Sequence, residues 1–134
     1  MSNTTPLQVV ALALYNPIRD RYLIVRRNEK NQSGIGHWEF PGGKIEQNET
    51  HKQALIREIK EELSFTLKES KLSFVRSHIH RYPAREVEIH LYKYESVDEN
   101  VTLVDHDQLA WVNEKEIQNF ELAPADIPFI KNLF

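Results

Sequence analysis

The order of apolar and polar segments predicts an α/β fold, an α/β/α sandwich in which helices cover both faces of a mixed β-sheet. Six short segments have the apolar or alternating character of strands, and one segment with apolar residues at helical spacing divides them three and three. A second helical segment follows the last strand, so a helix is available for each face of the sheet. The 134 residues, 40% of them hydrophobic, suit a single domain spanning residues 1–134.

Three strands are predicted before the first helix. Val9–Leu14 reads VVALAL, as in a strand buried on both faces, and Arg21–Arg27 reads RYLIVRR and pairs with it. Residues 28–37 are polar and contain glycines, so we expect a mobile loop there. Trp38–Phe40 is a short third strand. Pro41-Gly42-Gly43 is then a tight turn, in which glycine lets the backbone approach a ligand.

An amphipathic helix is predicted over about His51–Leu63. Thr50 is its N-cap, because Gln53 stands three residues further on and completes a capping box. One arc of the helix is apolar and packs on the sheet, and it consists of Leu55, Ile56, Ile59 and Leu63. The neighbouring arc carries three carboxylates together with Ala54, and it faces a cleft.

The second half of the chain supplies the remaining strands and the last helix. Strands are predicted at Leu72–His80 and Glu86–Glu95, with Tyr82–Arg85 between them. Leu109–Val112 is another short strand, and a helical turn follows at Glu114–Asn119. Pro124-Ala125-Asp126 opens a C-terminal helix.

The acidic arc of the first helix predicts a magnesium site. Glu58, Glu61 and Glu62 stand at spacings of three and four, which bring side chains onto one helix face. Clustered carboxylates repel one another unless a cation lies among them, and Mg²⁺ takes oxygen ligands. The plainer alternative is a solvated acidic helix face.

The surrounding residues resemble a known motif. Gly43 to Phe65 reads GKIEQNETHKQALIREIKEELSF. The pattern resembles the Nudix box, whose fixed positions fall here on Gly43, Glu49, Arg57, Glu58, Glu61 and Glu62. Two positions depart from the box: Ser64 replaces a Gly, and Phe65 replaces an aliphatic residue. The resemblance implies the Nudix fold and a hydrolase of phosphoric anhydrides that uses Mg²⁺, for which Mn²⁺ can substitute.

The resemblance also implies roles for the acidic residues. Glu58, Glu61 and Glu62 are expected to bind the metal, together with the Gly42 carbonyl and Asp105; Asp107 is a nearby competitor for the Asp105 role. Glu58, Glu61, Arg57 and Glu49 form the expected catalytic set. Glu58 is either a ligand or the general base, and Glu49 orients Arg57 through a charge-assisted hydrogen bond. The alternative for Glu49 is an acid that stabilises a helix N-terminus.

Two further stretches resemble the MutT-like branch of this family, whose members act on 8-oxo-dGTP or on CTP. They are Trp38–Glu46, WEFPGGKIE, and Leu122–Pro128, LAPADIP. By position, the resemblance implies substrate-binding roles for Arg27, Glu39, Phe40, Lys44, Arg85 and Asp126. Asp126 would read the base edge: ionised, it accepts from the cytosine amine; protonated, it can both donate and accept toward an oxidised purine. Its alternative role is a helix N-cap.

The expected function is therefore Mg²⁺-dependent hydrolysis of a nucleoside triphosphate to the monophosphate and pyrophosphate. The substrate would be 8-oxo-dGTP, a cytosine nucleotide (CTP, dCTP or 5-methyl-dCTP), or both, and the role would be nucleotide-pool sanitation. Competing interpretations are a hydrolase of another nucleoside diphosphate derivative and a nucleotide sensor without turnover. A zinc site at His78, His80 and His90 is a further alternative, although no matching ligand motif accompanies it.

Composition narrows the partners to small molecules. The net charge of −3 argues against stable nucleic-acid binding, which favours a basic surface. The chain has no long apolar run and a mean hydropathy of −0.55, so no membrane association is expected. No signal peptide is evident and cysteine is absent, which favours a cytoplasmic setting. A monomer is the default expectation.

Overall fold

A computed structural model describes residues 5–26 and 36–134 in full and the backbone of Arg27. Most of the loop predicted at residues 28–37 therefore lies outside the described residues. The strands are β1 (Leu7–Asn16), β2 (Arg21–Arg27), β3 (Trp38–Glu39), β4 (Gly42–Lys44), β5 (Ser73–Arg81), β6 (Glu86–Glu95) and β7 (His106–Val112). The helices are α1 (His51–Leu63), α2 (Glu114–Ile117) and α3 (Ile130–Leu133), with 3₁₀ turns at Glu69–Lys71 and Ile127–Phe129.

The sheet is mixed, as predicted. Its strand order is β3-β2-β1-β6-β5, with β7 paired to β2 and β4 paired to β1. β1 and β6 run parallel along most of their length, whereas the other pairs are antiparallel. One edge of β1 changes partner along its length, from β4 at Val9–Ala11 to β2 at Tyr15–Asn16. The sheet diverges at this change of partner.

Strand β1 is buried on both faces, which confirms the interpretation of VVALAL. Val10, Leu12 and Leu14 belong to the core beneath α1. Ala11 and Ala13 belong to a second core on the opposite face, beneath the C-terminal segment. That second core includes Leu122, Ala125 and Phe129. Helical elements therefore cover both faces of the sheet, and the chain has the α/β architecture that its element order predicted.

The ends of α1 are fixed by local hydrogen bonds. The Gln53 backbone N–H donates to the Thr50 hydroxyl at 3.1 Å, and the Thr50 N–H donates to the Gln53 side-chain oxygen at 2.9 Å. The predicted capping box is therefore present. The helix ends at Ser64, which has the left-handed angles φ 54° and ψ 34°. The buried arc differs from the prediction, because Ala54 lies fully in the core whereas Ile56 is only half-buried.

Other boundaries also differ from the sequence prediction. Gly42 and Gly43 begin strand β4 rather than forming a tight turn, because their backbone pairs with β1. β7 begins at His106, three residues before the predicted Leu109, since β2 offers it a longer partner. The C-terminal helix begins as a 3₁₀ turn at Ile127. Within the described part of the chain, no helix combines the length and apolar character that a membrane crossing needs.

Candidate functional site

The two glycines of β4 bring the sheet backbone unusually close to its neighbours. A Cβ on Gly42 would overlap the Val10 carbonyl of β1. A Cβ on Gly43 would overlap the Glu58 carboxylate of α1. Neither glycine has a positive φ, so both are required for space rather than for backbone conformation. The Glu58 carboxylate therefore lies directly against the β4 backbone.

Arg57 is held between the loop before α1 and strand β4. Its Nε donates to Glu49 Oε2 at 2.7 Å and its Nη2 donates to Glu49 Oε1 at 2.9 Å, a bidentate pair. Nη2 also donates to the Lys44 carbonyl at 3.0 Å. The hydrogen bond from Arg57, helped by the Glu46 backbone N–H, lowers the pKa of Glu49 to about 2. Glu49 in turn raises the pKa of Arg57. Glu49 thus contacts Arg57 as the resemblance implied.

Arg57 also contacts two acids of its own helix. Its Nη1 lies 3.3 Å from Glu58 Oε1 and 3.1 Å from Glu61 Oε1. Glu58 is mostly buried, and burial raises its pKa; the nearby Glu61 also raises it, while Arg57 opposes the shift. Glu61 is largely exposed, so its ion pair with Arg57 is weak. The pKa of the buried acid of this set is therefore raised, and an additional positive charge beside it would oppose that shift.

The donor chemistry of the acidic face fits a hard divalent cation. Carboxylate oxygens of Glu58, Glu61 and Glu62 project from one stretch of α1, and oxygen is the ligand type that Mg²⁺ takes. Among the described residues, no three acidic or histidine side chains are already arranged to hold an ion. Arg57 contacts Glu58 and Glu61 instead. The exposed Glu61 carboxylate has room to turn from Arg57 toward a cation, whereas Glu58 is confined by Gly43.

Asp105 lies in a loop that is anchored to the acidic end of α1. The Val104 N–H donates to the Glu62 carbonyl at 3.1 Å, and the Thr102 N–H donates to the Leu63 carbonyl at 2.8 Å. Asp105 is exposed and follows this anchored stretch directly. Its competitor Asp107 is paired elsewhere, because Arg26 donates to both of its carboxylate oxygens at 2.9 and 2.6 Å. The hydrogen bond from Arg26 also lowers the pKa of Asp107.

A second group of predicted residues lies on the opposite face of the sheet. Phe40 and Asp126 are both buried, and the Phe40 backbone N–H donates to Asp126 Oδ2 at 3.0 Å. The segment before Asp126 lies alongside β3, since Trp38 exchanges backbone hydrogen bonds of 2.8 Å with Glu121 and Ala123. Asp126 occupies the N-cap position of the 3₁₀ turn, but its side chain makes no capping hydrogen bond to that turn. Asp126 is therefore held against Phe40, where the resemblance placed a base pocket.

Glu39 lies between Trp38 and Phe40 in the sequence, but its side chain is on the opposite face of the sheet. It pairs in register with Val25, which belongs to the core beneath α1, whereas Trp38 and Phe40 pack against the opposite core. Its Oε2 lies 2.9 Å from Nε2 of His106, the first residue of β7. His106 is not among the residues predicted from the sequence, because a single histidine beside two aspartates forms no motif that would identify it.

The remaining predicted substrate residues lie at the margins of the site. Only the backbone of Arg27 is described, at the end of β2, so the contacts of its side chain lie outside the described residues. Lys44 is exposed at the end of β4. Arg85 is exposed in the turn of the β5–β6 hairpin, which is closed by two backbone hydrogen bonds with Tyr82, of 2.9 and 3.2 Å.

The three histidines considered for zinc do not converge. His78 and His80 pair with Ile89 and Val87 of β6, on the face that carries the C-terminal segment. His90 pairs with Val10 of β1 and lies on the α1 face. The sheet therefore separates His90 from the other two, and this arrangement does not fit a shared zinc ion.

Residues 5–133 match the model of the NUDIX domain. The CTP pyrophosphohydrolase of Escherichia coli is 31% identical over 113 residues, which are 84% of this chain and 82% of that protein. The 8-oxo-dGTP diphosphatase of Proteus vulgaris is 39% identical over 69 residues, covering 52% of this chain and 59% of the relative.

Solved structures agree with the sequence matches. An Escherichia coli protein with a solution structure has a TM-score of 0.81 at 28% identity, covering 98% of this chain and 91% of that one. The crystal structure of a MutT protein from Methanosarcina mazei has a TM-score of 0.84 at 22% identity, covering 99% and 96% of the two chains. The second similarity concerns the fold alone.

Proposed function

We propose that this chain, which belongs to the Nudix family, hydrolyses nucleoside triphosphates to the monophosphate and pyrophosphate with Mg²⁺. The family assignment rests on the match over residues 5–133 and makes the chain a Nudix hydrolase. The proposal adds the substrate class, the products and the metal. It is supported by the curated relatives, whose names are CTP pyrophosphohydrolase and 8-oxo-dGTP diphosphatase.

One observation carries the proposal: the Glu58 carboxylate lies against Gly43, on a helix that Arg57 ties to both Glu49 and β4. A solvated acidic helix face requires neither the glycine at position 43 nor the hydrogen bonds that Arg57 makes to Glu49 and β4. Both are expected if the acids must keep a fixed position relative to the β4 backbone. The arrangement therefore favours a metal–phosphate site over a merely soluble surface.

In this proposal, each protein group has a separate task. Glu61 and Glu62 bind the cation, and Glu58 is either a third ligand or the base that accepts the proton of the attacking water. The Gly42 carbonyl and Asp105 are further ligand candidates. Arg57 and Glu49 act as positioning residues, because they fix the orientation of α1 on the sheet. Bound Mg²⁺ would neutralise phosphate charge and lower the pKa of a bound water.

The reaction then divides one anhydride bond. A water oxygen attacks a phosphorus atom, and family analogy favours the β-phosphorus. The bond then breaks between the β-phosphorus and the oxygen that bridges it to the α-phosphorus. The monophosphate leaves with that oxygen, and pyrophosphate carries the oxygen of water. Arg27 and Lys44 are candidates to contact the phosphates, and Arg85 is a candidate to close over the base.

The base would bind on the other side of β3. Phe40 and Asp126 are already held together by the 3.0 Å hydrogen bond. An ionised Asp126 would accept from the exocyclic amine of cytosine, and a protonated one would serve an oxidised purine. The proposal therefore includes both substrates, and their relative rates of hydrolysis would indicate whether Asp126 is ionised or protonated.

The test is release of the nucleoside monophosphate with Mg²⁺ from 8-oxo-dGTP, dGTP, CTP, dCTP, 5-methyl-dCTP and ADP-ribose, ranked by kcat/KM. We expect 8-oxo-dGTP or the cytosine nucleotides to exceed dGTP and ADP-ribose by at least tenfold. Asp126→Asn should change kcat/KM for the preferred substrate more than kcat/KM for the poorest substrate, so that the order of preference changes. Preference for ADP-ribose would contradict the proposal, and so would nucleotide binding without turnover, which would indicate a sensor.

A further inference from the structure

The alternation of side chains along β3 separates Glu39 from its two neighbours. Trp38 and Phe40 pack into the core beneath the C-terminal segment, where Asp126 also lies. Glu39 pairs with Val25, whose side chain lies in the core beneath α1. Paired residues of adjacent strands share a face of the sheet. The Glu39 carboxylate is therefore on the same face as the acids of α1, and the sheet lies between it and Asp126.

His106 holds this carboxylate at short range. Its Nε2 lies 2.9 Å from Glu39 Oε2, and the two side chains are only 6% and 13% exposed. A carboxylate only accepts hydrogen bonds, so the proton of the pair is assigned to Nε2 of His106. His106 opposes Arg27 of β2, immediately after an irregularity in the register between β2 and β7. Such irregularities re-aim side chains, often beside active sites.

This pair is not explained by stability alone. Burying a carboxylate is costly even when it is partnered, and an apolar pair of similar volume would often serve the fold as well. In addition, Nδ1 of His106 is buried and has no hydrogen-bond partner among the described residues. A buried polar atom left without a partner requires a reason. The position of Glu39, on the face of the sheet that carries the acids of α1, supplies that reason.

We propose that His106 is a positioning residue that fixes the Glu39 carboxylate at the metal–phosphate end of the substrate, not at the base. The inference rests on the hydrolase proposed above and reassigns Glu39 within it. His106 does not touch the substrate in this account. It restricts the rotamers of Glu39, so that the carboxylate is oriented before the metal and nucleotide bind.

Two substitutions of His106 separate positioning from packing. His106→Leu keeps an apolar side chain in the buried space but removes the N–H donor, and we expect kcat/KM to fall about tenfold or more. His106→Gln keeps an N–H donor and should recover most of that loss. The factor should be the same for CTP and for 8-oxo-dGTP, because the contact is at the end that all the substrates share. The affinity of the nucleotide-free protein for Mn²⁺, measured by calorimetry, should fall about tenfold in His106→Leu.

A double-substitution cycle tests whether His106 acts through Glu39. Glu39→Gln, His106→Leu and the double variant are compared, and in the Glu39→Gln background the His106 substitution should have little further effect. His90→Leu is the matched control, because His90 is also a buried histidine on the α1 face. We expect its kcat/KM to stay within about threefold of wild type, although its melting temperature falls.

Three results would overturn the inference. They are additive effects in the cycle, a His106→Gln variant as defective as His106→Leu, and a loss confined to one base. If the wild-type chain hydrolyses no triphosphate, the proposed function fails, but Mn²⁺ binding and binding of a non-hydrolysable triphosphate still test the Glu39–His106 pair. Unchanged binding of both probes by His106→Leu would then reject the inference separately.

Discussion

At the residue scale, the two glycines of β4 have different neighbours, and their substitution should separate fold from chemistry. The three atoms nearest to a Cβ on Gly43 all belong to the flexible Glu58 side chain. Gly43→Ala should therefore fold with nearly the wild-type melting temperature but displace the Glu58 carboxylate. We expect kcat/KM to fall by about a hundredfold, within the range for removal of a catalytic proton acceptor. Steady-state kinetics and thermal melting measure the two effects.

Gly42→Ala is the matched control for this prediction. Its Cβ would meet the backbone of Val10 and Ala11, which cannot move without breaking the β1–β4 pairing. Overpacking of this kind costs about 3 kcal/mol, and the melting temperature should fall by roughly 10 °C. If Gly43→Ala were fully active, Glu58 would have no role that depends on its position.

The Glu49–Arg57 pair predicts a specific loss of stability in acid. The pKa of Glu49 is lowered from 4.5 to about 2, first by the hydrogen bond from Arg57. On acidification the unfolded chain binds this proton before the folded chain does. The stability that the pair provides is therefore present above about pH 4.5 and is lost as the pH falls toward 2.

Glu49→Gln removes this component of the pH dependence. The melting temperatures of wild type and variant should differ most above about pH 4.5 and converge as the pH is lowered toward about 2. Thermal melting across that range measures the gap. A gap of constant size would show that Glu49 does not stabilise the fold through its charge.

At the element scale, α1 has a well-formed beginning and a strained end. Ser64 adopts left-handed angles, which glycine adopts without a steric cost. We expect Ser64→Gly to stabilise the protein by about 0.5–1 kcal/mol, because relief of strain exceeds the added entropy of the unfolded chain. The melting temperature should rise by about 2–5 °C.

Thr50→Ala is the opposite substitution at the other end of the helix, since it removes the N-cap hydroxyl. It should lower stability by about 1 kcal/mol. A Ser64→Gly variant that melts below wild type would show that the serine side chain stabilises this helix end in some other way.

A polar cluster between α1 and the sheet gives a second pH dependence. Burial, followed by the electrostatic effect of the neighbouring His51, lowers the pKa of His90, while Glu88 opposes this shift. The two imidazole rings are stacked at 4.0 Å, and Ser77 and Gln8 contact the ring nitrogens of His90 at 2.5 and 2.7 Å. The unfolded chain therefore binds a proton first, at about pH 6.5. Stability is present above that pH and is lost as the pH falls below it.

His90→Gln removes the titrating group and keeps a polar side chain. Between about pH 7.5 and 5.5, the melting temperature of wild type should fall by a few degrees more than that of the variant. Differential scanning calorimetry at both pH values provides the comparison. Equal slopes would mean that the cluster tolerates the charge on His90.

Elements with local signals were predicted well from the sequence. Thr50 and Gln53 form their capping box through neighbouring residues, and VVALAL requires two covered faces wherever it lies. Gly42 and Gly43 were wrongly assigned to a turn. Glycine is required there because Val10 and Glu58, which are distant in sequence, lie too close for a side chain. For the same reason the pairing of Glu39 with His106, 67 residues apart, has no sequence signal.

At the scale of the whole molecule, β3 and β4 connect the two halves of the candidate site. β4 presents Gly43 to α1, and Phe40, which directly follows β3, contacts Asp126 on the other face. A few residues of one segment thus contact both the predicted metal region and the predicted base pocket. The motif on α1 indicated the first region, and only the folded sheet shows how Asp126 reaches the second.

The most direct test of the account is quantitative product analysis of CTP and 8-oxo-dGTP hydrolysis, with Mg²⁺, with chelator, and with Glu61→Gln. The account predicts monophosphate and pyrophosphate in equal amounts with Mg²⁺ and no products with chelator. Glu61→Gln should lose at least about a hundredfold in rate while still binding the nucleotide. Release of inorganic phosphate and a diphosphate, or turnover that persists without a divalent cation, would contradict it.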